Sequence, residues 1–127
     1  MTTLGMIALV VDDYDVAISH YVNDLGFELI EDNEITSEKR WVVVSPGKDG
    51  ARILLARAAN DKQKSAIGNS TGGRVGFFLY TTNFSETFRI YTSRGVKFIE
   101  SPRQEAYGQV VVFQDKYGNK WDLIEKK

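Results

Sequence analysis

Asp122 is the strongest candidate in this sequence for a residue that does chemistry, because it is a carboxylate among apolar neighbours. It lies in the C-terminal stretch DKYGNKWDLIE, between Trp121 and the pair Leu123 and Ile124. Such a carboxylate could bind a metal ion, act as a general base, anchor a ligand, or pair with a cation inside the fold. A lone buried carboxylate is costly, so we expect Asp122 to be paired, hydrogen-bonded or partly protonated.

The remaining candidate ligands and bases stand in less suitable places. His20 is the only histidine, and helical spacing puts it on the solvent side of the first predicted helix. A serine nucleophile needs a histidine base, so His20 on that element does not support one. The glycine-rich GNSTGGRVG precedes a strand instead of opening a helix, which disfavours a phosphate loop. Three acids after the second predicted strand are interpreted as solvated loop residues: Glu31, Asp32 and Glu34.

Composition excludes several functions. Sixteen basic and 17 acidic residues give a net charge of −1, which disfavours a nucleic-acid partner. The chain has no cysteine, so disulfides and sulfur-ligated zinc are excluded and only oxygen and nitrogen ligands remain for a metal. No apolar run reaches the roughly 18 residues of a membrane span, and the N-terminus lacks a basic leader, so we expect a cytoplasmic protein without a membrane partner.

The first half of the chain predicts one strand, one helix and three further strands. The apolar MIALVVDD precedes a helix that Asp13 caps and Gly26 ends. The strands that follow are FELIED, RWVVVSP and ARILLARA. The polar stretch AANDKQKSAIGNSTGG then predicts a mobile connector without an element of its own.

The second half repeats this order. VGFFLYTT is a predicted strand, and a helix from Asn83 to Gly95 follows it. The last three predicted strands are VKFIESP, GQVVVFQD and NKWDLIE.

An internal duplication accounts for the two halves. Three residue pairs coincide at offsets of 70, 69 and 68 residues: Tyr21 with Tyr91, Gly26 with Gly95, and Gly50 with Gly118. We therefore predict one α+β domain of two βαβββ modules, residues 1–59 and 74–127, joined by a linker at 60–73. The modules are expected to form a curved eight-stranded sheet with helices on its convex face and a groove on its concave face.

The chain resembles the vicinal oxygen chelate superfamily, which includes glyoxalase I, the extradiol dioxygenases, and the fosfomycin and bleomycin resistance proteins. Three stretches carry the resemblance: VVDDYDVAISHYVNDLGFEL, RGVKFIESP and FQDKYGNKWDLIE. It covers nearly the whole chain and implies the fold just predicted. Because this scaffold hosts many chemistries, the function depends on the residues of the site.

The resemblance implies four inward-facing positions at which metal-using members place histidine, glutamate or glutamine. In this sequence the matching residues are Met6, Leu54, Gly76 and Asp122. A transition metal needs several nitrogen or oxygen donors, and only one of the four residues offers any. No metal and no other cofactor is therefore expected.

Strand parity extends this inward-facing set, because side chains alternate across a strand. It adds Arg52 on the strand of Leu54, and it adds Phe78 and Tyr80 on the strand of Gly76. The predicted lining is then mostly apolar. In this family the third and seventh strands border the cavity, so Trp41 and Tyr107 could stack on a planar ligand. Their alternatives, core filling for Trp41 and loop bracing for Tyr107, stay open. Arg52 is also the expected partner if Asp122 is structurally paired.

The sequence thus favours a metal-independent protein that binds an aromatic or amphipathic small molecule in an apolar groove. The resemblance to the bleomycin-binding branch implies a homodimer. One alternative is a lyase, isomerase or dioxygenase, either metal-dependent with some of His20, Glu28, Glu31 and Glu125 pointing inward, or metal-free with Asp122 as base. A second alternative is an interaction module whose groove is filled by its own side chains.

Overall fold

The computed structural model describes all 127 residues, which form two compact units, residues 1–68 and 69–127. Each unit begins with a strand and a helix and continues with strands that complete one sheet. The α+β class and the repeated βαβββ order are therefore confirmed.

Unit one is built on a four-stranded sheet in the order β1-β4-β3-β2, with β1 parallel to β4. Its elements are β1 (Met6–Val11), α1 (Tyr14–Ile18) with a π-helical continuation (Ser19–Asp24), β2 (Glu28–Glu34), β3 (Arg40–Ser45), β4 (Arg52–Arg57) and α2 (Asp61–Ala66). Helix α1 contacts β3 and β4. The α2 helix, capped by Asn60, lies in the stretch predicted to hold no element, so that prediction is wrong.

Alternation along β1 and β4 divides the sheet of unit one into two faces. Leu9 pairs with Leu55 and both are fully buried. Ala8 pairs with Leu54 on the opposite face, where side chains are only partly covered. We call the face opposite the buried Leu9 and Leu55 the open face of unit one.

A single wide helical turn explains the change of offset from 70 to 69 between the two halves of the sequence. The N–H of Leu25 donates to the carbonyl of His20, five residues back, whereas the N–H of Arg94 in the second helix donates to Ile90, four residues back. One extra residue is accommodated in this way. It also turns His20 inward, where it is 8% exposed and its Nδ1 lies 2.9 Å from Asp24 Oδ2. The prediction of a solvent-facing His20 is wrong, because ordinary 3.6-residue spacing does not hold there.

Unit two has five strands, of which four follow the order β5-β9-β8-β6 and β7 pairs separately with β8. Its elements are β5 (Val75–Tyr80), α3 (Phe84–Ser93), β6 (Lys97–Phe98), β7 (Arg103–Glu105), β8 (Gly108–Gln114) and β9 (Lys120–Lys126). The strand predicted at VKFIESP is interrupted. Pro102, which lacks an N–H donor, stands just before β7, and the chain rejoins β8 only at Arg103.

An aromatic cluster fixes α3 to one face of this sheet. The ring of Tyr91 meets Phe113 edge-on at 5.6 Å, and Phe113 stacks on Trp121 at 5.9 Å. The Glu125 carboxylate accepts a hydrogen bond from the N–H of Phe84 at 2.7 Å and so caps the start of the helix. The opposite face is the open face of unit two, and Asp122 belongs to it because it alternates with Trp121.

Asp115 organises the turn between β8 and β9. It is 5% exposed, and its carboxylate accepts hydrogen bonds at 3.0 Å from the N–H groups of Tyr117 and Asn119, the Asn119 amide and the Trp121 indole. Gly118 completes the turn at a φ of 96°. The sequence DKYGNKW is thus a structural motif that sets the start of β9.

No helix of this fold combines the length and the apolar character needed to cross a membrane.

Asp115→Ala should lower the free energy of unfolding by about 3 kcal/mol, because it leaves several buried donors without their acceptor. Urea denaturation followed by circular dichroism measures this loss. The matched control is Asp49→Ala at an exposed turn, expected to change stability by about 0.5 kcal/mol or less. Equal effects of the two substitutions would contradict the assigned role of Asp115.

Candidate functional site

The open face of unit one brings together three of the predicted ligand-binding residues. Met6 pairs with Arg52, and Leu54 follows on the same side of β4 two residues later. Val43 of β3 pairs with Leu54, which places Trp41 on this face by alternation. The surface is mostly apolar, and Arg52 is the exposed charged residue at its edge.

A cavity of about 550 Å³ opens at one end of this face. Its apolar wall is formed by Trp41, Leu54, Ala56, Ala58 and Ala59, and α2 adds Gln63. Its charged lining residues are Glu38, Lys39, Arg40 and Arg57, and Tyr14 and Leu55 also border it. Trp41 is therefore a wall residue of a cavity and is only partly buried, which does not fit a core-filling role.

Strand β2 holds the acids that were interpreted as loop residues. The Trp41 indole N–H donates to Glu31 Oε2 at 3.2 Å, and Arg40 donates to Asp32 Oδ2 at 2.7 Å. The loop interpretation is wrong, because β2 contains all three acids and extends to Glu34, two residues beyond the predicted strand FELIED. The strand was underestimated because its polar edge residues hide the period-two pattern.

A second cavity of unit one, of about 400 Å³, is bordered by acids and two arginines. The guanidinium groups of Arg40 and Arg57 lie 5.1 and 5.5 Å from the centre of the Tyr14 ring. The pKa of Arg40 is raised, first by its hydrogen bond to Asp32 and then by that to Asp15. These contacts satisfy Arg40 within the chain, so this cavity is better explained as a structural ion-pair network.

The open face of unit two carries Asp122 between two strands. Phe78 of β5 and Val112 of β8 are its paired neighbours, and Tyr80 pairs with Ile124 on the same side. Phe78 and Tyr80 are 54% and 58% exposed, whereas Asp122 is 8% exposed. The carboxylate therefore lies at the bottom of a surface whose outer edge is aromatic.

One oxygen of Asp122 has no protein partner. Its Oδ1 is buried and accepts no hydrogen bond. Burial raises the pKa of Asp122, the positive charge of Arg103 opposes that rise, and the negative charge of Glu100 adds to it. The predicted pair between Arg52 and Asp122 joins residues of different units and stays a prediction.

Arg103 is the centre of an ion-pair cluster that was not predicted from the sequence. Its guanidinium donates to Glu105 Oε1 at 2.6 Å and to Glu100 Oε2 at 3.1 Å, and Tyr107 also hydrogen-bonds to it. Glu100 in turn accepts from the N–H of Val112 at 2.9 Å and fills the gap between β6 and β7. The spacing of Glu100, Arg103 and Glu105 in ESPRQE was the available signal. Tyr107 is half exposed and tied to this cluster.

Gly76 occupies an irregular point of β5. The pairing register shifts between Val75 and Phe77, and a Cβ at Gly76 would collide with Thr71 Cγ2. The absence of a side chain therefore has a packing reason. No donor can be supplied from this position.

The residues at the four positions where the resemblance implies metal ligands do not provide a ligand set. Met6 and Leu54 in unit one and Gly76 in unit two offer no anionic or nitrogen ligand, and Asp122 alone offers a carboxylate. No three histidine, aspartate or glutamate side chains gather closely enough to hold an ion. Among the alternatives, Glu125 caps α3 and His20 contacts Asp24, so neither is available as a ligand on an open face.

Comparison with known proteins agrees with this fold. An uncharacterized protein of Shewanella frigidimarina (strain NCIMB 400) is 51% identical over 121 residues, which cover 94% of this chain and 90% of the relative. The crystal structure of UcmS2 is 26% identical with a TM-score of 0.84, covering 98% of both chains. TnmS3, described as an antibiotic binding protein from Streptomyces sp. CB03234, is 22% identical with a TM-score of 0.80, covering 100% of this chain and 98% of its own.

The profile of one family spans almost the full length of the sequence, residues 3–123. Together with the duplicated βαβββ units, this match shows that the chain belongs to the Glyoxalase/Bleomycin resistance protein/Dioxygenase superfamily.

Proposed function

We propose that this protein binds an aromatic or amphipathic small molecule without the help of a metal ion. The observation that carries the proposal is the cavity of about 550 Å³ in unit one, where Trp41 and Leu54 form an apolar wall. The ligand-binding residues proposed for unit one are Met6, Trp41, Arg52 and Leu54, and those proposed for unit two are Gly76, Phe78, Tyr80, Tyr107 and Asp122.

The composition of the cavity supports this proposal. Its volume falls within the roughly 300–1,000 Å³ of small-molecule sites, which combine apolar walls with a few polar groups. Here Gln63 and Arg57 supply polar groups at the border. The Trp41 ring is held in place by its hydrogen bond to Glu31, so little side-chain freedom would be lost on stacking.

A binding role also agrees with what similar folds do. TnmS3 is described as an antibiotic binding protein, and the family name includes bleomycin resistance. At 22% identity that likeness establishes the fold alone, so the argument for binding rests on the cavity of this chain.

Catalysis by Asp122 has less support than binding. A general base needs a neighbouring group that stabilises the negative charge developing on the substrate. Arg103, whose positive charge acts on Asp122, is already engaged by Glu105 and Glu100. Asp122 is therefore better suited to accept a hydrogen bond than to drive proton abstraction.

Protein purified without chelator should contain less than about 0.1 equivalents of transition metal, because one carboxylate cannot hold such an ion. Inductively coupled plasma mass spectrometry measures the content. EDTA should leave the melting temperature unchanged. Near-stoichiometric iron, nickel, zinc or manganese would contradict the metal-independent proposal.

Trp41→Ala should weaken binding of a neutral aromatic probe, 2-(2-naphthyl)ethanol, by roughly tenfold or more, because it removes the stacking ring. Isothermal titration calorimetry measures this affinity. Trp41→Phe should retain most of it, and Val16→Ala, an apolar truncation at the helix surface outside the cavity, should leave it unchanged. An unaltered affinity of the Trp41→Ala variant would exclude this cavity as the site.

Asp122→Asn should make the protein more stable at pH 7. The folded-state pKa of Asp122 is raised by burial, so ionisation above the unfolded pKa costs stability, and that cost is absent when the pH is low enough to protonate both states. The advantage of the variant should therefore vanish below about pH 4. Thermal denaturation between pH 3.5 and 8 tests this. A variant less stable at every pH would indicate instead that the carboxylate is structurally paired, as predicted with Arg52.

A further inference from the structure

We propose that Asp122 and Phe78 form a subsite for an organic cation, so that the preferred ligand carries an ammonium group beside its aromatic part. This inference rests on the proposed function, because it names the charge of a small molecule that the open face of unit two would bind. It depends only on residues of unit two.

The acceptor of this subsite is the Oδ1 atom of Asp122. More than nine tenths of the residue is buried, yet this oxygen accepts no hydrogen bond from the protein. Buried polar atoms without a partner are rare in folded proteins. A ligand N–H donor would satisfy the oxygen, and a charged donor would do so with a stronger bond than a neutral one.

The second component is an exposed aromatic ring. Phe78 is the paired neighbour of Asp122 on β5 and leaves 54% of its surface open to solvent. Ring faces attract ammonium groups. The same sheet already shows this behaviour, because Lys126 Nζ lies 4.2 Å from the centre of the Tyr80 ring.

The basic groups around Asp122 form no ion pair with its carboxylate. Arg103 hydrogen-bonds to both Glu100 and Glu105, so that cluster carries a net negative charge. Lys120 and Lys126 lie on the same face of β9; Lys120 is partly exposed to water, and Lys126 lies over the Tyr80 ring. The other neighbours on this face are uncharged: Phe78, Tyr80, Val110, Val112 and Gln114. The charge of Asp122 is therefore left for a ligand cation.

The test compares three naphthalene probes of similar size by isothermal titration calorimetry at pH 7.5. They are 2-(2-naphthyl)ethylamine, which is a cation at this pH, neutral 2-(2-naphthyl)ethanol, and anionic 2-naphthylacetate. The amine should bind roughly tenfold more tightly than the alcohol, as expected for a hydrogen bond between charged groups. The acetate should bind most weakly.

Asp122→Asn should reduce the preference for the amine to about twofold or less, while the alcohol keeps most of its affinity. Asp49→Asn, which removes the same charge at an exposed turn, should retain the preference. Phe78→Leu should weaken binding of the amine more than binding of the alcohol, because the substitution keeps an apolar side chain but removes the ring face. This variant also provides a test of the subsite if Asp122→Asn fails to fold.

Two results would overturn the inference: equal affinities of the amine and the alcohol for the unmodified protein, or a preference that survives in Asp122→Asn. If the probes then still depend on Trp41, the proposed function stands and only the cation subsite fails. If none of the three probes binds, both proposals fail.

Discussion

The parallel pairing of the first and last strand in each unit is the constraint on which the rest of the structure depends. β1 lies beside β4 and β5 beside β9, so the alternating side chains of each pair point to the same two faces. One face receives fully buried residues such as Leu9, Leu55 and Leu123. The other face is more exposed and carries apolar and aromatic side chains, the carboxylate of Asp122 and three basic residues, Arg52, Lys120 and Lys126.

The same constraint separates folding from function. Sheet residues that pack against the helices can be exchanged only for others of similar volume, because the interior is closely packed. The exposed residues of the open faces, such as Phe78 and Tyr80, carry less of this packing requirement, and their chemistry can change while the fold persists. At the four positions where the resemblance implies metal donors, this chain has Met6, Leu54, Gly76 and Asp122.

Much of this could be predicted from the sequence because apolar periodicity and turn residues agree along most of the chain. The strands at Met6–Val11 and Lys120–Lys126 and the helix at Phe84–Ser93 follow directly from such patterns. Strand parity also placed Arg52 with Met6 and Phe78 with Asp122 on shared faces, as the register shows.

The errors arose where local geometry departs from ideal periods. His20 is turned inward by a wide turn that spacing rules do not include, and β2 is an edge strand rich in acids that has no alternating pattern. The helix Asp61–Ala66 is short and polar, so it lacks an apolar stripe. The Arg103 cluster depends on an interrupted strand that brings Glu100 back to β8. Such a contact between side chain and backbone cannot be deduced from composition.

The Asp115 turn sets the position of the carboxylate on which both proposals draw. Four of its hydrogen bonds fix the chain from Tyr117 to Trp121, including the indole at the start of β9. Asp122 is the very next residue, so its direction is determined by a rigid anchor that lies outside the open face. The conformational entropy of this acceptor is already lost when the protein folds. Binding of a ligand to it would therefore cost little additional conformational entropy.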